Sequence, residues 1–231
     1  MKTIGIIGGM SWESSIEYYR LANHYAKARL GGHHSARTLL LSVDFAPIEA
    51  LQQAGDWTAL AALMSEAAQQ LERGGADIVV LATNTMHRVY EAIEGAVTVP
   101  FLHIADATGA ALHAAGIERV GLLGTRYTME HPFYAERLQA KFGLATQVPP
   151  RDDREAIHRI IYDELCHGIV TAPSRARFRE AIARLQHDGA QAVILGCTEI
   201  TLLIKPEDSP LPVFDTTALH VAAAVDWAIR D

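Results

Sequence analysis

Cysteine is scarce: Cys166 and Cys197 are the whole complement of a 231-residue chain. Two thiols in unlike contexts do not make the disulfide framework of a small secreted domain. A reducing, cytoplasmic setting is therefore expected, one that keeps Cys197 free for chemistry. Long apolar runs are missing too. None approaches the roughly 20 residues needed to cross a bilayer. The opening Met1-Lys2-Thr3-Ile4-Gly5 enters a strand pattern without the apolar core or cleavage site of a signal peptide. Positive charge is in deficit, with 20 Lys and Arg against 27 Asp and Glu and a net charge of −7. No basic stripe appears, which argues against a nucleic-acid partner but not against a local cationic pocket. Metal spacing is lacking: His33 and His34 are adjacent, a placement at which side chains usually diverge, and have no cysteine or carboxylate at ligand spacing. Gly5-Ile6-Ile7-Gly8-Gly9 falls short of a dinucleotide fingerprint, and only Asp44 stands where a ribose-binding acid would be. Neither a metal nor a cofactor is expected.

What the chain does have is an internal echo. Ile4-Gly5-Ile6-Ile7-Gly8-Gly9 is matched by Val120-Gly121-Leu122-Leu123-Gly124-Thr125, position 120 against 4, an offset of 116. Gly75-Ala76-Asp77-Ile78-Val79-Val80-Leu81-Ala82-Thr83-Asn84-Thr85 is matched by Gly189-Ala190-Gln191-Ala192-Val193-Ile194-Leu195-Gly196-Cys197-Thr198-Glu199, position 189 against 75, an offset of 114. Thr83 therefore corresponds to Cys197. Two related lobes facing each other would put one such residue on each side of a small ligand. That arrangement suits moving a proton from one face of a carbon to the other.

Hydrophobic residues make up 49% of the chain, enough for a core in each lobe. Strands are expected at Thr3–Ile7, Arg37–Ser42, Ile78–Ala82, Pro100–Ile104, Arg119–Gly124, Ala192–Leu195 and Val213–Phe214. They are rich in Val, Ile and Leu without polar alternation, as parallel strands covered on both faces are. Helical periodicity lies between them, as in Ser14–Leu30, Trp57–Arg73, Ser174–His187 and Thr217–Ile229. The expected class is α/β: two pseudo-symmetric lobes, each a mainly parallel sheet flanked by helices, with the active site in the cleft between them. The first lobe is expected to span 1–105 plus 208–231 and the second 106–207. Glu207–Pro212 would be the connector, although Pro212–Asp215 echoes Pro100–Asp106 and closes its own half of the repeat.

Gly196-Cys197-Thr198-Glu199 carries the strongest chemical signal. A cysteine between a strand end and a helix start sits near backbone N–H groups that favour the thiolate. The alternative is a cysteine buried as a small hydrophobe, which is how Cys166 reads. Thr83 could be only a helix cap. Its hydroxyl is too weak an acid to rest as an alkoxide at neutral pH, so it suits passing a proton, directly or through water. Gly8-Gly9-Met10-Ser11 could form a backbone nest for a carboxylate. Its counterpart Gly124-Thr125-Arg126-Tyr127-Thr128 offers the hydroxyls of Thr125 and Thr128 and an arginine. His87 reads equally well as a proton carrier behind Thr83 or as a plain polar helix residue.

At these residues the chain resembles the aspartate/glutamate racemase superfamily, which uses no pyridoxal phosphate. The resemblance covers essentially the whole sequence. It rests on Gly8-Gly9-Met10-Ser11-Trp12-Glu13-Ser14, Ser42-Val43-Asp44-Phe45, Thr83-Asn84-Thr85-Met86-His87 and Gly196-Cys197-Thr198-Glu199. It is nearest to the enterobacterial racemases specific for L-Asp and L-Glu, or to those of broad specificity. Many members carry a cysteine in each lobe; here Cys197 is kept and Thr83 takes the other place, as in the L-Asp/L-Glu-specific group. The resemblance implies a homodimer, a small amino acid as partner, and substrate contacts from Met10, Gln52, Asn84, Thr85 and Thr198. Ser11, Thr125 and Thr128 join them as candidate substrate ligands. His87 and Glu199 are expected behind the acid/base residues. Some aspartate racemases have an arginine soon after the second strand, but Asp44–Ile48 has none, which leaves substrate choice open.

The expected chemistry is 1,1-proton transfer at Cα, with Cys197 as base toward the L-enantiomer and Thr83, or a water it holds, as donor on the other face. The alternatives are an arylmalonate-type decarboxylase of the same superfamily and a non-catalytic amino-acid sensor.

Overall fold

Short runs of Ile, Val and Leu make the strands, and the computed structural model, which describes residues 1–230, arranges eight of them among the described residues. One sheet holds β1 (Ile4–Gly8), β2 (Thr38–Ser42), β3 (Ile78–Leu81) and β4 (Phe101–Leu102) in the order β2-β1-β3-β4. The other holds β5 (Arg119–Gly124), β6 (Ala145–Gln147), β7 (Ala192–Gly196) and β8 (Val213–Asp215) in the order β6-β5-β7-β8. Every pairing is parallel. β1, β3 and β7 are buried along their whole length, which is why they read as unbroken apolar runs. The edge strand β6 is Ala-Thr-Gln, too short and polar to show a strand pattern, and it was not expected.

The chain divides into two units, Met1–Ile104 with His220 onward, and Ala105–Leu219. Here the expectation that 208–231 belongs to the first lobe is corrected for 208–219 alone, since His220 onward does lie in the first unit. β8 pairs with β7, Val193 against Val213 through Leu195 against Asp215, so the segment up to Leu219 stays with the second unit. A strand goes where its backbone hydrogen bonds are satisfied, and the echo of Pro100–Asp106 was a better guide than the proline-rich connector.

The repeat reaches individual hydrogen bonds. Helix Trp57–Arg73 buries Leu60, Met64, Ala67, Ala68 and Leu71, a stripe at helical spacing. Each large apolar side chain so buried contributes about 1.5–3 kcal/mol. Asp56 caps this helix by accepting from the Ala59 N–H at 2.9 Å. At its end Gly75 takes φ +92°, its N–H donates to Glu72 O at 2.9 Å, and Ala76 N–H donates to Leu71 O at 3.0 Å. Helix Ala172–His187 buries Phe178, Ala181, Ile182 and Leu185 in the same way. It ends with Gly189 at φ +95°, Gly189 N–H to Gln186 O at 3.0 Å and Ala190 N–H to Leu185 O at 2.9 Å. Positive φ at both positions is glycine's conformation. Each turn delivers the chain to a central strand, β3 or β7. No helix among the described residues is long and apolar enough to cross a membrane.

Candidate active site

In an open parallel sheet, ligands bind beyond the carboxyl ends of the strands, where the strand order changes direction. In the first unit that point lies between β1 and β3, because the chain moves outward from β1 to β2 and then crosses back. In the second it lies between β5 and β7. The turns leaving these four strands contain most of the candidate residues.

After β1, Gly9 has φ +95°, and a Cβ there would stand 2.2 Å from the Val43 carbonyl oxygen, so the turn accepts only glycine. Gly9 N–H donates to Ser15 Oγ at 2.7 Å, and the Ser15 hydroxyl donates to the Ser11 carbonyl at 3.2 Å. The Gly9 N–H is thus taken up inside the turn and is not open to an incoming carboxylate. Ser11 and Met10 are buried, and Met10 shares an apolar cluster with Ile7, Ile48 and Met86. Gln52, on helix Phe45–Ala54, is also buried and brings its Nε2 to 3.2 Å from the Met86 sulfur. Met10 and Gln52 thus join the environment of the turn after β3.

That turn carries Thr83, Asn84 and Thr85, all buried. It enters a single 3₁₀ stretch, Thr85–Val89, before the helix Tyr90–Ala96. The capping position is Asn84, with no side-chain cap, so a capping role does not account for Thr83. The fully buried His87 ring reaches back, with Nδ1 2.7 Å from the Thr83 carbonyl oxygen. The Ile104 N–H donates to His87 Nε2 at 3.1 Å.

In the second unit Thr125 Oγ1 accepts from the Thr128 N–H at 3.3 Å, and the two hydroxyls lie 3.3 Å apart. Thr128 packs against Gly196, the last residue of β7. The next residues, Cys197, Thr198 and Glu199, are buried. The Cys197 thiol donates to Glu199 Oε2 at 2.8 Å, and the Thr198 hydroxyl donates to the same oxygen at 2.8 Å. Burial, then the negative charge of Glu199, pushes the Cys197 thiol well above its ordinary range. This overturns the expectation that a helix start favours a resting thiolate. The helix is only Ile200–Leu203, and burial together with the adjacent carboxylate outweighs it.

Sequence reasoning missed a ring cluster in the first unit. His103 and His220 are buried, and their rings lie 4.4 and 5.8 Å from that of His87. The Tyr18 hydroxyl and His220 Nδ1 are 2.8 Å apart, and His220 Nε2–H donates to the Leu102 carbonyl at 2.9 Å. The available signal was a histidine inside each of two apolar stretches, Phe101–Ala105 and Ala218–Ala222.

Comparison with known proteins fits this geometry. The family model for Asp/Glu/Hydantoin racemase matches residues 7–224. The chain is similar to the broad specificity amino-acid racemase RacX of Bacillus subtilis, 25% identical over 168 residues, covering 69% of this chain and 68% of that protein. A candidate Asp/Glu racemase from Yersinia pestis superposes with a TM-score of 0.92 at 53% identity, and both chains are covered completely. An aspartate racemase homologue from Pyrococcus horikoshii OT3 superposes with a TM-score of 0.85 at 32% identity, again over the whole of both chains. With two four-stranded parallel sheets, repeated site turns and a family match over nearly its full length, the chain belongs to the Asp/Glu/Hydantoin racemase family of isomerases.

Proposed function

We propose that the chain racemises aspartate, glutamate or a related small amino acid without a cofactor, yielding the D-enantiomer. Cys197 and Thr83 would serve as the acid/base pair. The observation that carries this reading is the Cys197 thiol bonded to the Glu199 carboxylate at the position that the repeat matches to Thr83.

A thiol held above its ordinary range is a poor base until its proton leaves. Glu199 Oε2 already receives that proton's hydrogen bond, so transfer to the carboxylate generates the thiolate without a diffusing base. The thiolate then takes the Cα proton of the L-amino acid. Asn84, Thr85 and Thr198 hold the α-carboxylate and stabilise the charge that develops on it. Ser11, Thr125 and Thr128 supply further hydroxyls, and Met10 and Gln52 shape the side-chain end. Thr83, or a water it holds, returns a proton to the opposite face, and both groups re-equilibrate with solvent. Unequal partners make the two turnover numbers unequal, while KM compensates to keep the equilibrium constant between enantiomers near one.

The reading includes a cytoplasmic homodimer. Trp12, Ile16 and Tyr19, spaced i, i+4, i+7 on helix Trp12–Leu30, are each more than half exposed and form an apolar stripe suited to burial against a second copy.

The test is incubation with L-glutamate, L-aspartate and L-homoserine in D2O, following Cα deuteration and chirality, with Cys197→Ser in parallel. Deuterium entering Cα as the D-isomer appears, and lost in the variant, is the expected result. Binding without exchange would replace the reading with a sensor. Turnover of an arylmalonate alone would replace it with a decarboxylase.

A further inference from the structure

The ring of His87 has backbone partners at both nitrogens. A carbonyl oxygen, that of Thr83, faces Nδ1 at 2.7 Å, and an N–H, that of Ile104, points at Nε2 at 3.1 Å. A carbonyl only accepts and an amide N–H only donates, so the ring must be neutral with its proton on Nδ1. The ring is fully buried, and Phe101, His103 and His220 pack against it with centroids at 5.6, 4.4 and 5.8 Å. With both nitrogens so engaged, a proton relay through the ring would first require breaking one of these bonds. What the ring does instead is tie the carbonyl leaving β3 to the amide following β4.

We propose that His87 is a positioning residue, a neutral brace that fixes the Thr83 backbone and so aims the Thr83 side chain. It does not carry the transferred proton. This rests on the proposed role of Thr83 and adds an asymmetry to it. Loosening the brace harms the step that uses Thr83 and leaves the step that uses Cys197, because His87 belongs to the first unit and Cys197 to the second.

Two variants separate the possibilities. His87→Leu keeps apolar volume but makes neither bond. His87→Gln offers an amide N–H for Thr83 and a carbonyl oxygen for Ile104. In D2O, His87→Leu should still deuterate L-substrate at Cα, within about threefold of the parent. It should form D-product about ten- to hundredfold more slowly, the usual cost of a misaimed group. His87→Gln should recover most of the D-product rate. Equal loss of both rates, no rescue by Gln, or unchanged racemisation in His87→Leu would overturn the proposal. A readout independent of activity is the ring tautomer of the parent protein, from long-range ¹H–¹⁵N correlation. A neutral ring protonated at Nδ1 is expected, and an Nε2–H tautomer or an imidazolium at neutral pH refutes the brace. If no amino acid is racemised yet the tautomer is as expected, the functional reading fails and the brace stands as a feature of the fold.

Discussion

Replacing Glu199 with Gln keeps the shape of the side chain and removes its charge, and it should move two properties of Cys197 in opposite directions. The buried thiol now donates to a buried carboxylate at 2.8 Å. A hydrogen bond to a charged group contributes about 1.5–3 kcal/mol, or about a ten- to hundredfold population ratio. Burial, the larger cause of the raised thiol, stays in Glu199→Gln, but the carboxylate's contribution goes. The thiolate fraction at a fixed neutral pH should rise by about that ratio. The assay is the pH dependence of iodoacetamide alkylation in a Cys166→Ala background, so that only Cys197 reports. A raised thiol ionises only as pH climbs past the ordinary thiol range, so the parent's alkylation should rise on the alkaline side and that of Glu199→Gln at lower pH. Racemisation should go the other way. Without a carboxylate to take the thiol proton, kcat from the L-enantiomer should fall by about a hundredfold or more. If alkylation is unchanged or slower in Glu199→Gln, the thiol–carboxylate bond does not govern the cysteine. If turnover rises together with alkylation, Glu199 is only an electrostatic brake, and the proton-acceptor role is refuted.

Other perturbations follow from single contacts. For Asp106, burial works to raise the carboxyl, but Arg137 and Lys141 outweigh it and hold it below the usual aspartate range. Its stabilisation is therefore present above pH of about 3.9 and lost as pH falls through the lowered folded value. Asp106→Asn should lose about 1–2 kcal/mol at pH 7 and show a smaller further loss on acidification, read from urea midpoints at pH 7 and pH 3. Gly9→Ala puts a Cβ against the Val43 backbone at positive φ, and should lower unfolding free energy by about 1–3 kcal/mol with reduced activity. Ile16→Glu places a charge in the exposed Trp12–Tyr19 stripe and should shift the proposed dimer to monomer in sedimentation; a dimeric variant would locate the interface elsewhere, and a monomeric parent would refute the dimer.

The central strands were legible because burial on both faces leaves a continuous apolar signature, as in Ile78–Leu81 and Ala192–Gly196. The edge strand Ala145–Gln147 was not, since an edge needs neither length nor apolar side chains on both faces. β8 was recognised as a strand but assigned to the wrong unit. Sequence shows the connector's prolines, while the pairing Val193–Val213 is made in three dimensions. At the site, the repeat singled out Thr83 and Cys197. The state of the thiol was misjudged because burial raises it and because Glu199, two residues on, turns its carboxylate back onto the sulfur, a rotamer choice that spacing does not encode. The partners of His87 were similarly out of reach: Ile104 is 17 residues away and joins it only when β4 lies beside β3.

The way the first unit is closed has a consequence for biosynthesis. Its last helix, Thr216–Ile229, supplies His220 to Tyr18 and Leu102, Ala228 O to Lys2 N–H, and Asp226 to Arg29. The second unit, 105–219, emerges in between as one uninterrupted stretch of 115 residues. At about 5–20 residues per second, those residues take roughly 6–23 s to be translated. Throughout that interval the nascent first unit must wait with its Tyr18 and Leu102 contacts unmade. The half synthesised second is thus the first able to mature, and ribosome-arrested chains of increasing length should acquire protease resistance in 105–219 before 1–104.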